Sequence, residues 1–274
     1  MTPEQYCQNQ VLQEGSSLYY SLRILPAKSR CILTALQAFF YEINEIRYTC
    51  HEIEVARAKL QWWQNEMAQM FAGQVHHPIC QVLSEVNPDE IFSKSSFQKI
   101  IEAFWLDLNI THYVTDAELE THCKYTGGIL SLLSTQILGY QNETTLKYAE
   151  QLGIALQLTK FLRELRRDLA KGRLTIPTED LERFQVTKSE IFNYQFSEAV
   201  QSLLAYQVTR IRAYYHEAFK YLAPEDRANQ RSGIIQAQLA LATLQEIEED
   251  GYQLFQHQIH LTPLRKLWIA WRTH

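Results

Sequence analysis

The feature that most constrains the fold of this chain is its shortage of residues that interrupt helices. Only 9 glycines and 7 prolines occur among 274 residues, which favours long helices over short strands joined by turns. Apolar residues recur at helical spacing, and most prolines fall in short breaks between the periodic segments. The pattern predicts helices at residues 3–14, 27–48, 51–72, 94–110, 116–138, 143–170, 188–193, 196–222, 227–257 and 262–271.

The sequence shows no sign of a boundary between domains. It contains no low-complexity linker, no shift in composition and no internal repeat. The length of the chain and its hydrophobic fraction of 46% are sufficient for one large core. We therefore predict an all-α fold and a single domain over residues 1–274.

The charge balance argues against a nucleic-acid partner, because a net charge of -5 supplies no basic field. Five widely spaced cysteines without CxxC pairing predict reduced thiols and a cytoplasmic location. We expect no signal peptide, because the first residues lack a basic region followed by an apolar run. No stretch approaches the ~18 to 20 apolar residues of a membrane span, and peripheral membrane contact stays open.

Polar residues follow one stripe of the long helix predicted over residues 143–170. Apolar residues occupy nearly every face of this segment, which is typical of a helix at the centre of a bundle. Gln157, Lys160, Glu164 and Asp168 are spaced three or four residues apart and therefore share a face. Such residues cannot all reach bulk water from a central helix, so the stripe is a candidate functional site.

Four segments in order resemble motifs of the squalene/phytoene synthase family of head-to-head prenyl transferases, most of all its presqualene-diphosphate-synthase-like bacterial branch. Ser17 and Tyr20 match a serine/aromatic motif that lines the diphosphate end of the family's pocket. The other matching segments are residues 127–140, 172–177 and 261–268. The resemblance covers nearly the whole chain and implies an isoprenoid-synthase-type helical bundle around a central cavity.

The resemblance also implies a chemistry. In the family, two acidic motifs on facing helices hold Mg²⁺ ions, which bind the diphosphates of farnesyl or geranylgeranyl substrates. The metal neutralises the diphosphate leaving group as the allylic carbon–oxygen bond ionises. We therefore expect a prenyl diphosphate or another isoprenoid lipid as the partner and Mg²⁺ as the cofactor. The sequence gives no indication about NADPH.

The first acidic motif falls in residues 41–48. The family has an arginine where this chain has Tyr41, and it has aspartates where this chain has Asn44, Glu45 and Tyr48. Of these three, only Glu45 can still bind a metal in register. A phenol with a pKa near 10 is a poor magnesium ligand at neutral pH. The first motif has therefore lost most of its metal chemistry.

The second acidic motif is better preserved and runs from Gln157 to Asp168. Both of these residues match the family pattern, as does Arg163, whereas Glu164 replaces an aspartate and Lys160 replaces an asparagine. We expect the ammonium group of Lys160 to take the space of a metal ion and to pair with Glu164 or with the glutamate of the first motif.

These matches define the candidate site. The candidate catalytic residues and magnesium ligands are Glu45, Glu164 and Asp168. The candidate substrate-binding residues are Ser17, Tyr20, Gln157, Lys160 and Arg163. Three carboxylates are too few for the family's full magnesium cluster. We therefore predict that head-to-head condensation is impaired.

Three functions remain open at this point. The first is a diverged prenyl transferase or prenyl-diphosphate phosphatase that acts on a C15 substrate with a reduced magnesium set. The second is a non-catalytic relative, since some family members with eroded acidic motifs act as assembly or accessory factors for respiratory complexes. The third is a protein that binds a lipid chain in the apolar tunnel alone.

Plainer interpretations of the same residues exist. Glu164 and Asp168 could form a solvated helix face with neighbouring arginines. Ser17 and Tyr20 could be a helix cap and a core aromatic residue. The last predicted helix, residues 262–271, mixes basic residues with leucine and tryptophan. It could lie on a membrane interface or dock on the bundle, and the family match favours docking.

Overall fold

Helices make up almost all regular structure in residues 1–86 and 92–273, which the computed structural model describes. They are α1 (Pro3–Val11), α2 (Ser17–Arg23), α3 (Ala27–Thr49), α4 (Ile53–Phe71), α5 (Pro78–Ser84), α6 (Lys94–Asp107), α7 (Asp116–Cys123), α8 (Ile129–Leu138), α9 (Thr144–Arg163), α10 (Leu165–Ala170), α11 (Thr178–Arg183), α12 (Lys188–Phe192), α13 (Glu198–Tyr221), α14 (Arg231–Glu249) and α15 (Pro263–Arg272). A π-helix (Lys124–Gly128) joins α7 to α8, and a 3-10 helix (Pro224–Asp226) precedes α14. The all-α prediction is confirmed. Within this part of the chain, no helix is both long and apolar enough to cross a bilayer.

Helix α9 is the central element of the bundle. It packs against α13, α8, α14 and the π-helix, and residues on most of its faces are buried. One large apolar cluster surrounds α9 and α13, and a second surrounds α3 with α4, α5 and α6. The central position that the sequence predicted for this segment follows from its lack of a fully polar face. The assignment of the whole chain to one domain stays a prediction.

A pair of glycines sets the distance between α9 and the π-helix. A Cβ atom added to Gly153 would overlap the carbonyl group of Gly127, and one added to Gly127 would lie 2.8 Å from the Cβ of Gln157. Neither position therefore has room for a side chain. The two backbones touch directly, and this contact holds the first turns of α8 beside α9.

The structure divides two helices that the sequence predicted as continuous. The predicted helix 143–170 is interrupted at Glu164, whose φ and ψ of -97° and 9° leave the helical region, so α10 is separate from α9. The predicted helix 116–138 contains the π-helix, within which Thr126 donates to the His122 carbonyl oxygen at 2.7 Å. A π-turn widens the helix locally, and such turns often occur at functional sites.

Helix ends account for the remaining differences. The predicted helix 227–257 stops at Glu249, because the chain adopts positive φ at Gly251 and Tyr252. Helices α2, α5 and α11 were not predicted, since six or seven residues are too few to show a clear apolar period. The other predicted helices agree with the structure within three residues at each end.

Candidate functional site

A cavity of about 470 Å³ is lined mainly by residues of α3, α8, α9 and α14. Its apolar lining includes Leu33, Phe40, Leu130 and Leu152. All the charged residues of its lining come from the C-terminal part of α3 and from the junction of α9 and α10, namely Glu45, Lys160, Arg163, Glu164 and Arg167. The cavity therefore combines an apolar body with a charged end.

A guanidinium group lies between the two glutamates of the charged end. Arg167 Nη2 donates to both carboxylate oxygens of Glu45, at 3.1 and 2.8 Å, and Nη1 lies 4.0 Å from Glu164 Oε2. The same guanidinium carbon lies 3.8 Å from the ring centroid of Tyr48, within the range of a cation–π contact. Arg167 thus links α3 to α10, with its positive charge facing the carboxylates that the sequence proposed as metal ligands.

Asp168 belongs to a buried hydrogen-bond network and does not line the cavity. Its side chain is fully buried, and the hydroxyl group of Tyr48 donates to Oδ1 at 2.6 Å. Arg173 Nη1 lies 3.8 Å from the same oxygen. Burial raises the pKa of Asp168, and the charge of Arg173 and the hydrogen bond from Tyr48 oppose this change. Burial and the neighbouring carboxylate also raise the pKa of Tyr48, so the phenol remains a proton donor.

The network extends to Asp107 at the end of α6. Arg47 and Arg173 donate to its two carboxylate oxygens at 2.5 and 2.6 Å, and the hydroxyl group of Tyr113 donates at 2.7 Å. Burial would raise the pKa of Asp107, but Arg173, His122 and Arg47 together hold it at about 2. These contacts join α3, α6 and the segment after α10. They hold in place the buried elements on which the charged end of the cavity rests.

Lys160 lines the cavity without the ion pair that the sequence predicted. No carboxylate oxygen of the described residues lies within 4.0 Å of its Nζ atom, which lies 5.7 Å from the ring centroid of Phe40. Burial lowers the pKa of Lys160, although nearby carboxylates, Glu164 foremost, oppose the change. Glu164 instead pairs with Arg163, whose Nη2 donates to it at 2.9 Å. The amine of Lys160 therefore remains open to a ligand in the cavity.

Of the remaining predicted residues, Gln157 lines the cavity, whereas Ser17 and Tyr20 do not. Gln157 is 4% exposed and lines the cavity, and its Nε2 atom has no hydrogen-bond partner among the described residues. Ser17 and Tyr20 are half-buried on α2, but the cavity lining from this part of the chain includes Ser16 and Leu18 instead. Tyr20 packs against the small apolar cluster between α14 and α15. A serine does cap α2, but it is Ser16, which accepts from the Tyr19 amide at 3.1 Å.

The side chains of this site do not fit a magnesium cluster. The carboxylates of Glu45, Glu164 and Asp168 are engaged by Arg167, Arg163 and Tyr48 respectively. Within residues 1–86 and 92–273, no three histidine, cysteine, aspartate or glutamate side chains come together in a metal-binding arrangement. Magnesium requires several oxygen ligands in near-octahedral geometry, and fixed cations beside them repel it. With three cations against two carboxylates, the cavity is suited instead to direct contact with an anion.

The sequence did not identify Arg167 as a site residue. Its three-residue spacing from Glu164 is common on solvated helix faces, and the sequence gives no sign of the break at Glu164 that precedes it. One available signal was the excess of positive charge in the second motif, where Lys160, Arg163, Arg166 and Arg167 occur within eight residues. Four cations are unexpected in a segment in which the sequence predicted magnesium ligands.

Comparison with known proteins gives a consistent result. The family model described as squalene/phytoene synthase matches residues 11–265. A chloroplastic phytoene synthase from an Oncidium hybrid cultivar is 25% identical, and the match covers 94% of this chain and 64% of that protein. This chain thus spans less than two thirds of the length of that relative. A 15-cis-phytoene synthase from Synechocystis sp. is 24% identical, and the match covers 97% of this chain and 83% of that protein.

Solved structures share the same helical fold. A dehydrosqualene synthase in complex with a ligand aligns with a TM-score of 0.87 at 20% identity, over 99% of this chain and 95% of that one. Squalene synthase HpnC from Alicyclobacillus acidocaldarius aligns with a TM-score of 0.78 at 22% identity, over 91% and 94%. The predicted isoprenoid-synthase-type bundle is therefore confirmed.

Proposed function

Because the chain belongs to the squalene/phytoene synthase family, we propose that it binds a single prenyl diphosphate in the cavity and does not perform magnesium-dependent head-to-head condensation. The observation that carries this proposal is the position of Arg167 between Glu45 and Glu164. A volume of about 470 Å³ lies in the lower part of the roughly 300–1,000 Å³ range of pockets that hold one small ligand.

The cavity offers each part of such a ligand a matching surface. Leucine and phenylalanine side chains cover the prenyl chain and exclude water from it, which supplies most of the favourable free energy. Lys160 contributes an ammonium group, and Gln157 contributes an amide group whose Nε2 atom has no partner in the described structure. The ammonium group of Lys160 donates directly to phosphate oxygens, while Arg163 and Arg167 add positive charge at the same end.

Binding by these residues does not lead to ionisation of the substrate. Loss of a diphosphate requires strong neutralisation of the charge that develops on it, which divalent ions supply in this family. Here the guanidinium groups are already paired with Glu45 and Glu164, so much of their charge is neutralised within the protein. The ligand is therefore held intact, and the chain serves as a binding protein.

An accessory factor with a protein partner is the alternative to this proposal. The accessory-factor function that eroded acidic motifs imply is also non-catalytic, and the Glu45–Arg167 pair is compatible with it. The two non-catalytic functions differ in one respect, since an accessory factor that does not use the cavity has no affinity for a prenyl ligand. Measurement of ligand binding therefore separates them.

We also propose a reducing, cytoplasmic environment for the protein. All five cysteines are free, and Cys7, Cys80 and Cys123 are buried. Burial raises the pKa of the Cys7 thiol to about 12, so it remains protonated and unreactive. Free, buried thiols are the normal state of cysteine in the cytoplasm.

The test of the proposed function is calorimetric titration with farnesyl S-thiolodiphosphate, a non-ionising analogue, in EDTA and then in MgCl₂. We expect binding in EDTA and no tightening by Mg²⁺. Lys160→Met should weaken binding about tenfold to a hundredfold, because a charge-assisted hydrogen bond is lost. Arg166→Gln is the matched control, since Arg166 donates to the Gln256 carbonyl oxygen away from the cavity.

A product assay completes the test. The protein is incubated with farnesyl diphosphate, Mg²⁺ and NADPH, and the mixture is examined for presqualene diphosphate, squalene, farnesol and pyrophosphate. We expect none above the level of a heat-denatured control. Products that disappear on addition of EDTA would overturn the proposal in favour of an enzyme with a reduced magnesium set.

A further inference from the structure

Helix α15 presents an apolar stripe to solvent. Leu264, Leu267, Trp268 and Trp271 are spaced at i, i+3, i+4 and i+7, so they share one face of the helix. Their exposed fractions are 78%, 48%, 53% and 71%, values unusual for four large apolar side chains on three turns. The opposite face is docked, because Ile269 and its neighbour Ala270 pack against α14. Docking on the bundle thus leaves the tryptophan face uncovered.

The charged residues of α15 all have the same sign. Arg265, Lys266 and Arg272 are the only charged residues between Pro263 and Arg272, in a chain whose net charge is -5. Arg272 lies over the ring of Trp268, with 4.6 Å between the guanidinium carbon and the ring centroid, at the border of the stripe. Two copies that met through this face would bring like charges together, which disfavours a self-associated dimer.

These features match the chemistry of an anionic lipid surface. Tryptophan rings prefer the boundary between head groups and acyl chains, and leucine side chains prefer the acyl region. An arginine at the border pairs with lipid phosphates, and Arg272 is suited to this contact, whereas Arg265 already pairs with Glu246 of α14. From the stripe, the positive border and the docked opposite face, we infer that α15 is a binding site for the surface of an anionic bilayer. This inference stands on α15 alone and holds whether or not the cavity binds a prenyl diphosphate.

The position of α15 relates the bilayer to the cavity. The ammonium group of Lys266 donates to the Gly15 carbonyl oxygen at 2.9 Å, and the next residue, Ser16, lines the cavity. Gln236 of α14, the helix on which α15 docks, lines the cavity as well. A bilayer seated on α15 therefore lies next to elements that form the cavity wall, which suits a ligand with a lipid-like chain.

The test uses sedimentation of the full chain with vesicles of phosphatidylcholine, alone or mixed with phosphatidylglycerol. We expect binding to the mixed vesicles, a blue shift of tryptophan fluorescence, and weaker binding at high salt. Trp268→Ser combined with Trp271→Ser should lower the partition coefficient at least tenfold. Leu106→Ser is the matched control, because Leu106 is 65% exposed on α6 and should leave binding unchanged.

Several outcomes would overturn this inference. One is the absence of binding to either vesicle type by the unaltered chain. Another is an equal loss of binding in the Leu106 variant. A third is a dimer in sedimentation velocity that dissociates in the double tryptophan variant, which would assign the face to a second copy. Circular dichroism of each variant ensures that the comparison is made between folded proteins.

Discussion

The substitution Asp107→Asn measures how much the buried charge network behind the cavity contributes to stability. Two guanidinium groups, from Arg47 and Arg173, and the hydroxyl group of Tyr113 all donate to this carboxylate. The amide keeps the shape of the side chain and can still accept hydrogen bonds, but it removes the negative charge with which both arginines pair. We expect a large loss of folding free energy with the helical fold retained.

Two independent considerations set the size of the effect. The pKa of Asp107 falls from 3.8 to about 2 on folding, which corresponds to roughly 2–3 kcal/mol of stability at neutral pH. Removal of one partner from a buried ion pair costs about 3–5 kcal/mol, because the remaining charge stays buried. Arg173 is only 2% exposed and would keep only the more distant carboxylate of Asp168, whose Oδ1 lies 3.8 Å from Nη1. We expect a loss of about 3 kcal/mol, which lowers the melting temperature by roughly 6–12 °C.

Thermal unfolding followed by circular dichroism is the assay, with Asp250→Asn as the control. Asp250 pairs with His257 at 3.2 Å near the surface, so its replacement should change the melting temperature by less than about 3 °C. The folded pKa of Asp107 is depressed, so its contribution is present above pH 3.8 and is lost as the pH falls through about 2. A loss below about 1 kcal/mol at neutral pH, or a loss that does not shrink in acid, would refute the reasoning.

Three further predictions follow from the same interior. Gly153→Ala should cost about 1–3 kcal/mol in chemical denaturation, because the added Cβ overlaps the π-helix backbone. The control Gly128→Ala, whose Cβ meets no atom closer than 3.6 Å, should be nearly neutral, and equal effects would contradict the close backbone contact. Tyr48→Phe should lower the free energy of unfolding in urea by about 1.5–3 kcal/mol, because the buried Asp168 loses its 2.6 Å hydrogen bond. A change under about 0.5 kcal/mol would show that this bond contributes little. In carbon-13 NMR of reductively methylated protein, Lys160 should titrate at a lower pH than surface lysines, because burial lowers its pKa. Its resonance is assigned by its loss in Lys160→Met, and titration at the same pH as the surface lysines would contradict its burial.

The helical fold was predictable because it depends on local periodicity. The apolar spacing of residues 143–170 identified a central helix, and the structure places α9 at the centre of the bundle. The break at Glu164 was not predictable, because the sequence continues with good helix formers and contains neither glycine nor proline there. Tertiary contacts, among them the Tyr48–Asp168 hydrogen bond on the far side of the break, accompany this departure from local preference.

The candidate site was predictable to a smaller extent. Gln157, Lys160, Arg163 and Glu164 do line the cavity together with Glu45, and the spacing on one helix explains why most of them could be named. Partners across the cavity could not be inferred, because Glu45 and Arg167 are 122 residues apart and no local pattern joins them. A missing metal ligand is visible in a sequence, whereas the guanidinium group that lies between the remaining glutamates is visible only in three dimensions.

The contact between Gly127 and Gly153 has a consequence for how this protein can change. Where two helices are spaced by side chains, each substitution at their interface moves the helices and alters every neighbouring position. Here the spacing is fixed by main-chain atoms, so it does not depend on which side chains line the cavity nearby. The lining can therefore be altered by mutation, naturally or by design, to accept ligands of other lengths and charges while the frame around it keeps its dimensions.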